Sequence, residues 1–578
     1  MNNISKSNLL LFAVLCIVFV INIIQGGVTE LLADEAYYWV YKEHLDWGFF
    51  DHPPAVAVWI YLSDLFFSGE MGVRFFSAIS YSATLLFVWK AIDHPKKQAH
   101  TWLFLIVFLS SVLLSVYGFI TTPDTPLMLF YAIFIYAYQQ YLKHQSVLSY
   151  LLLSVSIAGM MYSKYQGILI VFFVILSNLK LIRDPKLWLS SLLAFILYTP
   201  HLYWLWANDF PSIKYHLVER GNRVYKFEHT LLHFVNIIAI VGMTFPIVYR
   251  AFFSSQNTKN EFARALNFIV WGFIIFFFLS TFKGHVQAQW VLAIAIPLGI
   301  LTFWYLIDHP QSRTWFIALA SVNFLFMIVA RVQLVTPVLP LNMETHGNEK
   351  WTHALKLKTE GQQKVFVNSY RHTAAYWFYT GEPAFYLRNY SGRNNHFQLL
   401  QKNIDLSSKE VALVRKVREN PTDVGVQTRQ RDSVFAEIVY NFKDLAHITM
   451  TLSSDDILLK KGSNTFPIQI ESSFHRTVSL DEFEVVIGFE GLDKSQRYEI
   501  ESTVVSEQKS LQKYKPLTAL ITFDTAKIRD PEMYPFLGIG LRNSDQVDLV
   551  LASYKHRYGL EGSFESFKTN PNEPEPGL

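Results

Sequence analysis

The chain has 578 residues, of which 51% are hydrophobic, and it carries a formal net charge of only +3. So small a basic excess, scattered along the sequence, excludes the charged footprint of a nucleic-acid-binding protein. The single cysteine, Cys16, excludes a disulfide framework or a cysteine-based metal site within one chain.

Two parts of the sequence differ sharply in character. From Leu9 to about Val335 the chain consists mostly of apolar runs, and the mean hydropathy of the whole sequence is +0.21. Such runs suit a hydrocarbon core of about 30 Å. From about Glu344 onward the sequence is charged and polar. We therefore predict an α-helical multi-pass membrane domain over residues 1–340, followed by a polar region outside the bilayer.

The first apolar run, residues 9–24, follows Lys6 and could be mistaken for a secretory signal. Because no convincing cleavage pattern follows Gly26 and Gly27, we interpret it as a retained span. Ten further runs bring the predicted number of spans to about eleven: 73–89, 102–120, 127–142, 148–161, 168–181, 187–206, 231–249, 266–282, 286–306 and 315–335. Several are shorter than the roughly 20 residues of a spanning helix, so we expect polar extensions or enclosure within the bundle.

The charge of the loops predicts the orientation, because lysine and arginine in short loops mark the cytoplasmic side. Alternate loops carry Lys6, Lys90, Lys96, Lys97, Lys143, Lys180, Arg183, Lys186, Arg250, Lys259, Arg264 and Arg313. We predict a cytoplasmic N-terminus, an extracytoplasmic C-terminal region and a plasma (inner) membrane location. The loop at 208–230 breaks the pattern with Lys214, Arg220, Arg223 and Lys226, which either count against this topology or add phosphate-binding cations.

The first predicted outer loop, residues 25–69, is long and acidic. Within it, residues 54–67 are apolar and begin at a proline pair, Pro53 and Pro54, as a helix start would. At about 1.5 Å per residue this helix covers about 21 Å, too little to cross the membrane. We predict that it lies along the membrane surface.

Carboxylates from distant parts of the sequence fall on the predicted outer face. Asp34 and Glu35 follow the first span, with Tyr37 close behind. Asp51 and its neighbour His52 lie further along the same loop. Asp124 follows the third predicted span. Because carboxylates at membrane depth cost a few kcal/mol unless they pair or line a wet cavity, these positions suggest a site.

Cations from other predicted outer turns complete the proposed site. Arg74 follows the surface helix, Lys164 lies in a Ser-Lys-Tyr-Gln-Gly turn, and Lys283 and His285 lie in a Lys-Gly-His-Val-Gln turn. Cations near hydrocarbon are natural partners of a lipid phosphate. A carboxylate can take a proton from an acceptor hydroxyl, while cations stabilise a phosphate leaving group. The pattern favours group transfer from a phosphate-linked lipid donor.

Each of these residues also has a structural interpretation. Asp34 with Glu35, and separately Asp124, could cap helices. Lys164 could extend its amine to the interface, and Arg74 could pair with Glu70 one turn earlier. The two histidines, His52 and His285, could be ordinary packing residues.

A divalent metal is conceivable, because the acidic clusters offer hard oxygen ligands. No diagnostic ligand spacing appears in the sequence, so the prediction is an enzyme without a cofactor or metal.

The motifs resemble a known family. The stretch from Asp34-Glu35-Ala36-Tyr37-Tyr38-Trp39 through Trp47-Gly48-Phe49-Phe50-Asp51-His52-Pro53-Pro54 to Gly72-Val73-Arg74 resembles the opening of GT-C glycosyltransferases of family 39. That family includes protein O-mannosyltransferases and bacterial enzymes that transfer aminoarabinose to lipid A. Thr122 to Pro126, Ser163-Lys164-Tyr165 and the turn at Gly284 resemble later landmarks in the same order.

The resemblance covers roughly residues 34–305 and implies a GT-C fold, a polyprenyl-phosphate sugar donor and inversion at the anomeric carbon. By position it implies Asp34 as the catalytic base, with Glu35 beside it in acceptor binding or positioning. Asp124 becomes a second carboxylate of the site, and His52 lines the cavity. Residues 365–396 also resemble the polar segment that follows the last span in bacterial members. The acceptor stays open between protein, lipid A, a wall polymer and another glycan.

The C-terminal region is predicted to contain three parts. Residues 345–445 are read as a mixed α/β segment, and residues 446–569 as a β-rich module. Runs such as 466–470 and 484–489 alternate with polar turns, which is typical of strands. The last residues, 570–578, are rich in proline and glutamate and are predicted to be disordered.

Two other classes of protein compete with a glycosyltransferase. A transporter or flippase of a lipid-linked saccharide would commonly show repeated halves and broken helices at the midplane, and no convincing repeat is seen. A non-catalytic scaffold that displays the C-terminal module does not explain the carboxylates at the membrane edge. We predict that the partners are a polyprenyl-phosphate-linked sugar, an outer acceptor and membrane lipids, with no nucleic acid.

Overall fold

The computed structural model of the chain describes residues 3–215, 225–256, 258–389, 392–428, 432–453, 457–491, 497–526, 528, 533–542, 550–553 and 556–560. Its contacts divide the chain into two compact units. Unit 1 comprises Met1–Thr352 and Ala374–Gly381, and unit 2 comprises His353–Thr373 and Glu382–Leu578. Arg220, Arg223 and the predicted disordered tail lie outside the described residues.

All eleven apolar runs are largely helical. The helices of this part of the chain are α1 (Asn3–Val28), α2 (Ala33–Glu43), α3 (Ala55–Asp64), α4 (Gly69–Ala91), α5 (Thr101–Leu109), α6 (Val112–Val116), α7 (Asp124–His144), α8 (Val147–Ser163), α9 (Gly167–Ser177), α10 (Pro185–Ala207), α11 (Pro211–Lys214), α12 (Phe227–Val241), α13 (Phe245–Ser254), α14 (Glu261–Ser280), α15 (Ala295–Asp308) and α16 (Pro310–Val335). The prediction of a helical polytopic membrane fold is confirmed.

By length and composition, six helical segments of the described residues could cross a membrane. They are Lys6–Val28, Gly69–Ala91, Phe227–Ser254, Glu261–Lys283, Ala288–Asp308 and Pro310–Val335. Among the other predicted spans, α8 and α9 have only 17 and 11 residues. Helices α7 and α10 are long enough, with 21 and 23 residues, but their mean hydropathy is lower than that of the six segments. The predicted count of about eleven spans therefore includes several helices that are too short or too polar to cross the membrane without the surrounding helices.

Side-chain caps explain where several of these helices begin. Ser146 accepts a hydrogen bond from Ser149 N at the start of α8, and Asn260 accepts one from Ala263 N at the start of α14. Asp184 accepts from Lys186 N at the start of α10, where a proline occupies the first turn. Each cap satisfies an N–H group that has no partner within its own helix.

Some predicted spans are not continuous helices. The run at 102–120 is divided at Ser110 and Ser111 into α5 and α6. A second break lies between α12 and α13, where Gly242 has a φ of +61°. Asn323 of α16 serves both breaks, because its Nδ2 donates to Ser110 O at 3.0 Å and to Val241 O at 2.8 Å. In a bilayer a broken helix needs such internal partners for its freed carbonyls.

The first outer loop folds into two short helices. The predicted surface helix is α3, which begins after Pro54 and ends at Asp64, earlier than predicted. Its exposed residues include Val58 and Tyr61, and the following Leu65 is 61% exposed. This apolar outer side is consistent with a position along a membrane surface.

Unit 2 contains two larger sheets and α17 (Asn348–Lys358), α18 (Tyr370–Thr380) and α19 (Phe397–Leu400) in or at the edge of its range. The first sheet is mixed, in the order β2-β1-β3-β5-β4. Its strands are β1 (Gln363–Val367), β2 (Phe385–Leu387), β3 (Val411–Arg415), β4 (Val424–Gln427) and β5 (Ser433–Val439). β1 is parallel to both β2 and β3. This sheet lies within the predicted mixed α/β segment.

The second sheet has the order β6-β8-β13-β11-β10-β14-β16-β7, with β15 paired to β14, and β9 and β12 form a separate pair. The strands are β6 (Ile448–Leu452), β7 (Ile457–Leu459), β8 (Ser463–Ser472), β9 (Val478–Ser479), β10 (Glu484–Glu490), β11 (Arg497–Val505), β12 (Ser510–Leu511), β13 (Leu517–Asp524), β14 (Phe536–Arg542), β15 (Val550–Leu551) and β16 (His556–Leu560). In β6 and β13 buried and exposed side chains alternate, because one face of the strand packs on the apolar core and the other does not. The β-rich character of this region is confirmed, while the domain boundaries stay a prediction.

Candidate active site

Glu35 is fully buried at the start of α2 and accepts hydrogen bonds from three segments. Its Oε1 accepts from Arg74 Nε at 2.8 Å and from Thr121 N at 2.8 Å. Its Oε2 accepts from Arg74 Nη2 and from Leu32 N. The carboxylate therefore joins the first outer loop to α4 and to the segment just before α7.

Arg74, the sixth residue of α4, is 1% exposed, and all its N–H groups have partners. Besides Glu35, it donates to the carbonyl oxygens of Gly26, Thr29 and Glu30. A guanidinium has only five donors, and this one has none left for a phosphate. The expected role of Arg74 in donor binding stays a prediction that this arrangement does not favour, and the carboxylate that pairs with Arg74 is that of Glu35.

Asp34 precedes Glu35 on α2 and is half-buried, with a side chain that remains partly open to solvent. Successive helical residues point about 100° apart, so burial of Glu35 turns Asp34 toward a different side. The N-terminal position in α2 also favours a negative charge through the helix dipole. Of the two neighbouring carboxylates, Asp34 is therefore the more exposed.

Asp51 fastens the second acidic cluster to α2. Its Oδ2 accepts hydrogen bonds from Tyr37 Oη at 2.6 Å and Tyr41 Oη at 3.2 Å, and the residue is 5% exposed. Next to it, His52 O accepts from Phe49 N at 3.0 Å, which closes a tight turn. These contacts make Asp51 and Tyr37 structural partners in this arrangement, and they bring the predicted first and second clusters together.

His52 is only partly buried, beside that turn. Its ring packs edge-on against Tyr38 of α2, with centroids 5.6 Å apart. The packing interpretation and the cavity-lining interpretation of this histidine are compatible with the same position.

Asp124 and Lys164 form a second buried ion pair. Lys164 Nζ lies 2.9 Å from Asp124 Oδ1 and 3.0 Å from Oδ2, and the two side chains are 8% and 5% exposed. Asp124 is the first residue of α7, and Lys164 immediately follows α8. Since Thr121 also binds Glu35, this pair lies at the same end of the bundle as the Asp34 loop.

The residue after Lys164 connects the pair to the first outer loop. Tyr165 Oη lies 3.1 Å from His201 Nε2, and His201 Nδ1 lies 2.7 Å from Trp47 O. A carbonyl can only accept, so Nδ1 donates and Nε2 accepts from Tyr165. Burial raises the pKa of Tyr165 to about 12, which keeps this hydroxyl protonated.

Gly48, beside Trp47, is required by close packing. An added Cβ would lie 2.3 Å from Trp204, whose Nε1 donates to Asp46 Oδ2 at 2.7 Å. Sequence reasoning missed His201 and Trp204 as parts of this region. The available signal was a histidine inside an otherwise apolar run, since polar residues within spans usually have a partner.

Lys283 and His285 are exposed and lie in a turn whose described contacts lead elsewhere. Thr281 Oγ1 lies 2.9 Å from Thr230 Oγ1, and Asn236 of α12 donates to Val286 O. Hydrogen bonds and ion pairs thus join the turn of Lys283 and His285 to α12, whereas they connect into one region the segments that carry the other predicted site residues: Asp34, Glu35, Asp51, His52, Arg74, Asp124 and Lys164.

Within the described ranges, no group of three or more histidine, cysteine or acidic side chains could hold a metal ion. The absence of a metal or cofactor from the activity stays a prediction.

Part of the region just described lies within a match to a known protein family. The family model for dolichyl-phosphate-mannose-protein mannosyltransferase matches residues 51–204. A curated relative, the lipid A galacturonosyltransferase RgtD of Rhizobium johnstonii, is 22% identical over 381 residues, which cover 62% of this chain and 79% of the relative. The matched family residues include Asp51, Asp124 and Lys164.

Two solved structures share the fold. The chain superposes on apo ArnT from Cupriavidus metallidurans with a TM-score of 0.56 at 12% identity, covering 75% of this chain and 98% of that one. The same protein bound to undecaprenyl phosphate gives a TM-score of 0.57 at 14% identity, with the same coverage. The predicted GT-C fold is confirmed.

Proposed function

We propose that this chain is a multi-pass membrane glycosyltransferase of the GT-C type. It transfers a sugar from a polyprenyl-phosphate donor to an acceptor outside the cytoplasm, with Asp34 as the base. The observation that carries the proposal is the joining of two acidic loops and one lysine turn at one end of the bundle, through Glu35 to Thr121 and through Lys164 to Asp124.

The lipid donor is supported by the relatives. The description of the matching family names dolichyl-phosphate-mannose, and a protein with the same fold has been solved bound to undecaprenyl phosphate. A donor of this kind keeps its tail in hydrocarbon and its phosphate at the membrane edge. The region around Asp34 and Lys164 lies at helix ends, where such a headgroup can enter.

Asp34 performs the proton transfer in this proposal. An acceptor hydroxyl oxygen attacks the anomeric carbon of the donor sugar while its proton passes to the Asp34 carboxylate. The bond between the anomeric carbon and the phosphate oxygen breaks, and polyprenyl phosphate leaves with the electron pair. A single displacement of this kind inverts the configuration at the anomeric carbon.

Lys164 is the proposed cation for the leaving phosphate. It is already held by both oxygens of Asp124, so its ammonium is fixed at a mostly enclosed position. A positioned cation in a site of low dielectric stabilises the charge that develops on the leaving group. Asp124 then acts as the residue that orients Lys164, which refines its expected role as a second site carboxylate.

Glu35 supports this chemistry without taking part in it. Its Oε1 accepts hydrogen bonds from Arg74 and Thr121, and its Oε2 accepts from Arg74 and Leu32. We propose that it holds the loop that carries Asp34 against α4 and α7.

The decisive experiment compares Asp34→Asn with the control Asp64→Asn. Asp64 is the last residue of α3, and its carboxylate accepts a hydrogen bond from Lys42 of α2. The purified protein in lipid nanodiscs receives a polyprenyl-phosphate sugar, and released polyprenyl phosphate and glycosylated acceptor are both measured. We expect Asp34→Asn to be folded and inactive, and Asp64→Asn to be active. Full turnover by Asp34→Asn would contradict the assignment of Asp34 as the base. Movement of intact donor across the membrane without release of polyprenyl phosphate would favour the flippase.

A further inference from the structure

The start of α2 lacks an ordinary cap. Its N-cap residue is Leu32, whose side chain cannot accept a hydrogen bond. Glu35 accepts from Leu32 N at 3.0 Å, which satisfies one N–H of the first turn. The next N–H, that of Ala33, donates instead to Glu344 Oε2 at 3.3 Å, across 311 residues of sequence. The turn that carries Asp34 is therefore completed from a distant part of the chain.

The two residues before the helix are held in the same way. Leu31, only 1% exposed, donates its N–H to Tyr379 Oη at 2.8 Å. Its carbonyl accepts from Asn348 Nδ2 at 3.3 Å. Asn348 N also donates to Glu30 Oε2 at 2.6 Å. Every residue from 30 to 33 thus has a hydrogen bond to Glu344, Asn348, Tyr379 or Glu35.

Apart from Glu35, these partners come from beyond the last apolar helix. Glu344 lies between α16 and α17, Asn348 is the first residue of α17, and Tyr379 lies near the end of α18. All belong to unit 1. The end of α18 also packs on the middle of α2, where Trp39 meets Trp377 and Phe378 with ring centroids 6.0 and 5.2 Å apart. Two separated segments therefore fix α2 both at its start and along its length.

We propose that Glu344, Asn348 and Tyr379 form a clamp that positions Asp34 for proton transfer, so that residues after the last span set the turnover rate. The inference rests on Asp34 being the base, as proposed above. A carboxylate on the first turn of a short helix moves with the backbone of residues 31–33. A misplacement of about 1 Å can cost on the order of a hundredfold in rate.

The clamp residues act as hydrogen-bond partners, and this makes specific variants informative. Glu344 needs only an oxygen to accept from Ala33 N, so Glu344→Gln retains the contact and Glu344→Ala removes it. Tyr379→Phe leaves the buried Leu31 N–H without its acceptor. Tyr249→Phe is the matched control, because it removes a comparable single hydroxyl contact, from Tyr249 of α13 to Ile237 O of α12 at 3.0 Å.

The experiment measures kcat and the KM for donor and acceptor on the purified full-length variants. We expect Tyr379→Phe and Glu344→Ala to lower kcat by roughly tenfold or more, with both KM values within about twofold of wild type. Glu344→Gln and Tyr249→Phe should keep kcat near wild type. A purely structural role would instead reduce the amount of folded protein, which size-exclusion chromatography and active-site titration with donor would reveal.

The outcomes separate the clamp from the proposed function. Unchanged kcat in Tyr379→Phe and Glu344→Ala, or a change confined to KM, overturns the clamp, while an inactive Asp34→Asn leaves the function standing. Loss of kcat in Glu344→Gln equal to that in Glu344→Ala also overturns it, since the acceptor oxygen is still present. Full activity of Asp34→Asn overturns the function itself. If Tyr379→Phe fails to fold, the Glu344 pair still decides the matter.

Discussion

The two ends of α4 and α7 carry the same kinds of charged residues in opposite environments. At one end, Arg74 with Glu35 and Lys164 with Asp124 form pairs that are at most 8% exposed. At the other end, Lys143 pairs with Asp93, and Lys96 pairs with Asp308, with side chains 35–60% exposed. The loops predicted to be cytoplasmic thus meet one another, and those predicted to be outside meet at the opposite ends of these helices.

The difference in burial between the two sets of ion pairs indicates which end of the bundle has a functional role. An exposed ion pair loses little hydration, and it contributes little to the stability of the fold, typically about 0–1 kcal/mol. A buried pair persists only with excellent geometry and further hydrogen bonds, because removal from water is costly. Buried pairs at one end of the bundle, and exposed pairs at the other, mark the first end as the one with a specialised task.

The largest expected effect comes from Arg74→Met. The substitution leaves Glu35 buried without its cation and deprives three carbonyls of their donor, so we expect a loss of about 3–5 kcal/mol in stability. Thermal unfolding in detergent measures it. Arg74→Lys should recover only part of the loss, because an ammonium cannot reproduce the five-donor arrangement. A melting temperature equal to that of wild type would contradict the role assigned to this pair.

A smaller effect on stability, with a large effect on activity, is expected for Lys164→Met. The variant leaves Asp124 buried and unpaired, and it removes the proposed phosphate cation. Adding Asp124→Asn removes the stranded charge, so the double variant should regain stability and stay inactive. Unfolding midpoints and donor affinity are measured in parallel. Unchanged donor affinity and turnover in Lys164→Met would show that this buried pair is structural only.

The smallest effect is expected for Lys96→Met at the other end of the bundle. Its pair with Asp308 is exposed, so stability should change by no more than about 1 kcal/mol, and the difference should shrink as salt is added. Activity should match wild type. A loss as large as that of Arg74→Met would mean that exposure does not separate the two ends.

The apolar part of the fold was well predicted from the sequence, because composition alone decides which segments prefer hydrocarbon. Runs as short as 168–181 were recognised, and strands β8 and β10 contain the two β runs that were singled out. The division of α5 from α6 was not foreseen. It depends on Asn323, more than 200 residues away, to satisfy Ser110 O, and local pattern carries no trace of that contact.

The candidate site was predicted in outline and corrected in detail. The gathering of the acidic clusters was expected from the topology, whereas the pairings depend on side chains that meet only in three dimensions. Arg74 was expected to face a phosphate, yet it is enclosed by Glu35 and backbone carbonyls. The contacts of Tyr379 with Leu31 could not be inferred either, since they join α18 to the start of α2.

The saturation of Arg74 has a consequence for how the protein is made. An arginine within a membrane helix is costly to insert alone, by up to about 3 kcal/mol at the helix centre. Its carbonyl partners at Gly26 and Thr29 lie at and just beyond the end of α1, and its carboxylate follows in α2. All of these partners are synthesised before α4 emerges from the ribosome. The partners that offset the cost of this arginine are therefore already present when α4 enters the membrane.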